Sequence, residues 1–115
     1  MFDFQKLEVY KKSKTFNIEV DSLIQKNIFN RTIRDQLHRA SFSIMLNIAE
    51  GTSRYSKRDK KNFYVIARGS VFECVAILEY LMDVKKIDDK TFKQYYCNLE
   101  ELSRMLYSLI HKLAD

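Results

Sequence analysis

The sequence predicts an all-α protein, an antiparallel up-down-up-down four-helix bundle forming one domain over residues 1–115. Two observations carry that prediction. The chain has no proline and only two glycines, Gly51 and Gly69, so it lacks the punctuation of hairpins and tight turns. Its apolar residues instead recur at the spacing of a helix face, most regularly in the last quarter of the chain. At 46% hydrophobic and 30% charged residues, the composition is that of a globular domain with a core, not of a disordered chain.

The first helix is predicted over about residues 4–27. Phe4, Leu7, Val9, Tyr10, Phe16, Val20, Leu23 and Ile24 form an imperfect apolar stripe, with Lys11, Lys12 and Lys14 outside it. Asn27 to Asn30 reads as a turn. Thr32 and Asp35 have the spacing of a capping box and open a second helix over 32–51, with Gly51 as the left-handed residue that ends it. Thr52 to Tyr55 connects it to a third helix over 56–86. Ser56 and Asp59 cap its start, and Lys85 and Lys86 complement the dipole at its end. Asp88 or Asp89 caps a fourth helix over 89–113. Here Phe92, Tyr95, Leu99, Leu102, Leu106, Leu109 and Leu113 make a heptad seam. The short connections make sequential neighbours antiparallel.

The second helix carries more apolar surface than one bundle needs. Ile33, Leu37, Ala40, Ile44, Ile48 and Gly51 share one face, and Phe42, Met45, Leu46 and Ala49 fill much of the rest. Between them runs a narrow polar line, Arg39, Ser43, Asn47, Glu50 and Arg54. The third helix is similar: Phe63, Ile66, Ala67, Ser70, Cys74, Ile77, Leu78 and Leu81 form its apolar face. Gly69 in mid-helix, at a cost of about 1 kcal/mol against Ala, implies the close approach of another helix. A helix apolar on most sides is buried on most sides, so a second subunit is expected to cover the surplus. Arg39, Ser43, Asn47, Glu50, Arg68, Ser70 and Glu73 are expected to include a hydrogen-bonded network between the second and third helices or across a subunit boundary. The competing reading makes Glu50 and Glu73 metal ligands or an acid–base pair. Bundle di-metal sites use Glu-x-x-His motifs, and neither His38 nor His111 has a Glu three residues before it, so no metal or cofactor is expected.

The net charge of +5 is unevenly placed. Arg31, Arg34, Arg39, Arg54, Lys57, Arg58 and Lys60 face only Asp35, Glu50 and Asp59 within residues 31–60. Arg54, Lys57, Arg58, Lys60 and Lys61 cluster at the junction of the second and third helices, with Tyr55, Phe63 and Tyr64 interleaved, as a candidate phosphate-contacting edge. Cys74 and Cys97 read as two buried, reduced core thiols, which with the absence of an apolar leader or membrane-length run predicts a cytoplasmic protein.

Arg39-Ala-Ser-Phe-Ser-Ile-Met-Leu-Asn-Ile-Ala-Glu-Gly51 resembles the signature of the bacterial four helix bundle protein family, first named for reading frames in intervening sequences of 23S ribosomal RNA genes. Phe4-Gln-Lys-Leu-Glu-Val-Tyr10 is similar to the family's aromatic start. Ser53-Arg54 with Ser56, and Ala67-Arg-Gly-Ser70 with Glu73, are similar to its later elements. Together these matches span about residues 2–85. The family often has proline where this chain has Met45 and near Asn30, a departure that implies a straighter second helix. The resemblance implies a homo-oligomer, typically a pentameric barrel of bundles with a central channel, and no established enzymatic activity. The accessory proteins of diversity-generating retroelements are similar in fold and bind nucleic acid and a reverse transcriptase.

Three functions of different classes follow: a homo-oligomeric accessory protein binding RNA or DNA by shape and charge, a scaffold for a protein partner, and a metal-dependent enzyme using Glu50 and Glu73. The first is the principal expectation, and it is non-enzymatic.

Overall fold

The computed structural model describes residues 1–113. A short 3-10 turn, Asp3–Lys6, precedes four helices: α1 Glu8–Lys26, α2 Arg31–Ser53, α3 Lys57–Asp83 and α4 Asp89–Lys112. There is no strand among the described residues. Each helix packs on its neighbours in sequence, and α1 and α4 close the array, while the backbones of the diagonal pairs stay apart. Cross-helix partners run in opposite directions along three of the four pairs, which fixes the fourth, α3–α4, as antiparallel too: Asn17 meets Ser41 and Asp21 meets His38, Ser43 meets Ser70 and Thr52 meets Tyr64, and Lys12 meets Glu101 while Glu19 meets Tyr95. The bundle is therefore up-down-up-down, with extents of 44 × 25 × 22 Å.

The core is the set of inward stripes. Phe16 and Val20 of α1, Leu37, Ile44 and Ile48 of α2, Leu78 and Leu81 of α3, and Leu99, Leu102 and Leu106 of α4 are essentially inaccessible. Each contributes about 1.5–3 kcal/mol by leaving water, which outweighs any single helix-end contact. The predicted α4 seam is seen directly, with Tyr95, Leu99, Leu102 and Leu106 at its buried centre.

The helix ends depart from expectation where local signals compete. Leu7 is extended (φ −75°, ψ 129°), so the aromatic start forms its own turn instead of joining α1. The α2 cap is Asn30, whose Oδ1 accepts the Ile33 amide at 2.8 Å, not the Thr32–Asp35 pair. The Ser56 and Asp88 caps are present, accepting the amides of Asp59 at 3.1 Å and Thr91 at 2.7 Å. Hydrogen bonding from the Thr91 side chain, and then from its amide, holds the Asp88 carboxyl below its usual pKa. α3 ends at Asp83, before Lys85 and Lys86, because Lys85 itself takes the left-handed conformation (φ 63°). The Lys85 amide then donates to the Met82 carbonyl at 2.9 Å and that of Lys86 to the Leu81 carbonyl at 2.8 Å, the paired bonds of a Schellman ending.

Gly51 does not terminate α2, which runs on to Ser53, and neither glycine has a positive φ. Its role is spatial. A Cβ there would lie 2.8 Å from Tyr64 Cε1 and 3.1 Å from Phe63 Cβ. The Tyr64 ring cannot swing aside, since it is buried and its hydroxyl is bonded to Thr52 Oγ1 at 2.9 Å. Gly51→Ala is expected to cost about 1–3 kcal/mol through overpacking, read as a lower urea midpoint with an unchanged slope.

Candidate functional site

The polar line of α2 lies beside α3 but does not form one network. At one end Arg39 pairs with Glu73 across the two helices and also donates to Gln36 at 3.0 Å. Both members of the pair are about half exposed (53% and 46%), so solvent screens it. In the middle, buried Ser70 donates to Ser43 Oγ at 2.9 Å, and Asn47 Nδ2 donates to Ser43 O and Oγ at 2.9 and 3.0 Å. At the far end Glu50 pairs with Arg54 at 3.3 Å and accepts from Ser53 at 3.2 Å. Arg68 stands apart: it turns to α4, where Nε donates to the Ser103 carbonyl at 3.4 Å and the guanidinium lies over Phe72 and Tyr107. Because α2 and α3 are antiparallel, Glu50 lies near the start of α3 and Glu73 well along it. Among the described residues no three His, Cys, Asp or Glu side chains gather as a metal site would require.

The basic residues surround the α2–α3 connection. Lys57 and Arg58 are exposed in the first turn of α3, Lys61 is half-buried one turn on, and none of the three has an ion-pair partner among the described residues. Lys60 Nζ donates to the Thr52 carbonyl at 2.9 Å. The Arg54 guanidinium stacks on Phe63 with its carbon 4.6 Å from the ring centre, and its Nε is buried without a partner. A helix N-terminus carries positive partial charge, so each cation there costs about 0.3–1 kcal/mol where an acid would be favourable. Asp59 is the single acid in that turn.

The fold adds residues that sequence reasoning missed. The N-terminal turn packs on α2. Phe2 and Phe4 thereby line an open groove with Leu46, Ala49, Arg54, Tyr55 and Lys60. Tyr55 is fully exposed and Phe2 is 73% exposed. Phe4 is held edge-on against Tyr10, with ring centres 4.8 Å apart. Tyr55 was visible as an aromatic among cations; nothing local in the sequence places Phe2 beside it.

The outer side of α3 is apolar. Val65, Ile66, Phe72 and Tyr80 are each about half exposed, and on α2 so are Phe42 and Leu46. Val65, Gly69, Phe72 and Ala76 follow heptad spacing, a second seam opposite the core, which the heptad continues to Glu79 with Tyr80 beside it. Ile66, expected on the inward face, points outward instead. Gly69 has no close helix within the subunit: a Cβ there would meet open space.

Cys74 is buried, and burial pushes its thiol up to about 12, with Glu73 adding to the effect. Cys97, expected in the core, is exposed. It falls off the Phe92–Tyr95–Leu99 seam, which is the signal that separates it from the core. No helix among the described residues is long and apolar enough to cross a membrane.

Four antiparallel helices with a cluster of cations around the α2–α3 connection define the class, a small all-α bundle protein. The chain belongs to the 23S rRNA-intervening sequence protein family, whose model matches residues 5–108. A solved protein of the S23 ribosomal protein family from Bacteroides thetaiotaomicron, itself described as of unknown function, is 26% identical and has a TM-score of 0.80. The match covers 89% of this chain and 97% of that one. No curated protein matches the chain.

One thiol per chain is expected to react with a maleimide or an aromatic disulfide in native buffer, and two in denaturant; mass spectrometry should place the native adduct on Cys97.

Proposed function

We propose that this protein is a self-associating, non-enzymatic accessory protein that binds nucleic acid through the basic α2–α3 connection. The observation that carries the binding reading is the run Lys57, Arg58, Lys60 and Lys61 at the positive end of α3, with only Asp59 against it in the first turn. Cations placed where the backbone dipole already repels them are relieved by a bound polyanion. The family's link to ribosomal RNA genes makes RNA the first ligand to test. Contacts of these cations are to phosphates, so affinity depends on salt more than on sequence.

The second seam on α3 supports self-association. Exposed Val65, Phe72 and Tyr80 flank Gly69 and Ala76, which leave space for the backbone of another helix. That seam starts directly after the basic turn, so subunits joined along α3 repeat the turn within one particle. Repetition converts a weak site into a strong one by effective concentration. The pentamer implied by the family resemblance is the number to test.

Lys57→Glu with Arg58→Glu is expected to reduce RNA binding at least tenfold near 100 mM salt and to flatten the slope of log affinity against log salt, measured by filter binding. Absence of salt-dependent binding to RNA or DNA by the unaltered protein defeats the proposal. By light scattering, the native mass should be at least twice the 13.8 kDa of one chain, and Phe72→Glu should return a folded monomer with an unchanged helical spectrum. A monomer at every concentration rules out the self-association.

A further inference from the structure

We infer that the ligand of this edge is an unpaired strand, with bases stacked on Tyr55 and Phe2 while its phosphates cross the start of α3. The inference rests on the reading of the basic connection as a phosphate-contacting edge and adds what that edge selects. Charge alone does not distinguish a duplex from a single strand, since both present phosphates. Exposed aromatic rings do, because a duplex keeps its base faces covered.

Three features place such rings among the cations. Tyr55 sits at the apex of the α2–α3 connection, 103% exposed relative to a reference residue, so both ring faces are open. It lies two residues before Lys57, which with Arg58 has no ion-pair partner among the described residues and is placed to meet a phosphate beside a stacked base. Phe2 comes to the same groove from the far end of the chain. One face of its ring lies toward Phe4, with centres 6.0 Å apart and planes 19° from parallel, which leaves the other face, in a side chain 73% exposed, for a second base.

The groove between these rings is lined by Leu46, Ala49, Arg54 and Lys60, and it is open along its side rather than closed into a pocket, as a continuous strand requires. Its two acids have partners: Glu50 lies 3.3 Å from Arg54, and Asp3 lies 4.0 Å from Lys6. The cations left over are Lys57, Arg58 and Lys61, which follow Tyr55 along the first turns of α3. Stacking of this kind tolerates any base, because every base has a π-face.

The test is fluorescence anisotropy with a labelled oligouridine of about 12 nucleotides, the span of one such site, and with the same strand paired to its complement. Tyr55→Ala should weaken binding of the single strand at least about fivefold and leave duplex binding unchanged, while Tyr55→Phe keeps native affinity for both. Phe2→Ala should act in the same direction. Both aromatic side chains are exposed, so an unchanged helical spectrum is expected for each variant. If Tyr55→Ala binds the single strand as the native protein does, or loses both ligands equally, the stacking site is refuted while the basic edge stands. If the native protein binds neither ligand, both fall together.

Discussion

The approach of α2 to α3 at Gly51 is the constraint on which this end of the molecule depends. Only a residue without a Cβ lets Tyr64 lie against α2, and Tyr64 in turn holds Thr52 through its hydroxyl. The Thr52 carbonyl then receives Lys60, which ties the first turn of α3 back to the last turn of α2. The connection between the helices is fixed from both sides, and Tyr55 projects from it, uncovered by any described residue. A short apolar contact thus sets where the cations and the free aromatic ring are displayed.

α3 combines two demands. Its inward stripe, with Ala67, Val71, Cys74, Leu78 and Leu81, supplies the centre of the bundle. Its outward stripe is nearly as apolar, with Glu73 and Glu79 as the interruptions among exposed residues from Val65 to Tyr80. Scattered apolar residues on a surface are ordinary, but a heptad row of them on one helix is the form of a helix–helix contact. The polar groups along the α2 side of α3 are arranged as separate pairs, which suits a boundary region wet at its ends and dry at Ser70.

What the sequence revealed follows from the range of the interaction involved. The α4 seam and the Ser56 and Asp88 caps depend on residues within a few positions of one another, and they were legible. Asn30 was missed as a cap because Thr32 and Asp35 offered a competing pattern of the same chemistry. Gly51 was read from its local preference for turns, whereas its place is dictated by Tyr64, distant in sequence. Lys85 carries no signal for a left-handed residue, yet the register of Ile87 in the core, where it is 7% exposed, forces one on it. Of the candidate site, the grouping of the cations with Tyr55 around the α2–α3 connection could be read locally. Phe2 could not be, because it arrives through the folding of the N-terminal turn onto α2.

Asn17 and Ser41 form a buried side-chain hydrogen bond in the interior of the α1–α2 contact, with Ser41 Oγ donating to Asn17 Oδ1 at 2.9 Å. Leu, Ile and Val surfaces are nearly indifferent to sliding by a turn, since any apolar neighbour serves. An amide is not: displaced by one turn, Asn17 would face hydrocarbon with nothing to accept from, at a cost of about 1–3 kcal/mol. The pair therefore works as a phase marker for the α1–α2 hairpin, excluding slipped arrangements of equal greasiness. Since α1 also closes the array onto α4, a hairpin locked in phase fixes the height at which Phe2 and Phe4, just ahead of α1, are carried alongside α2.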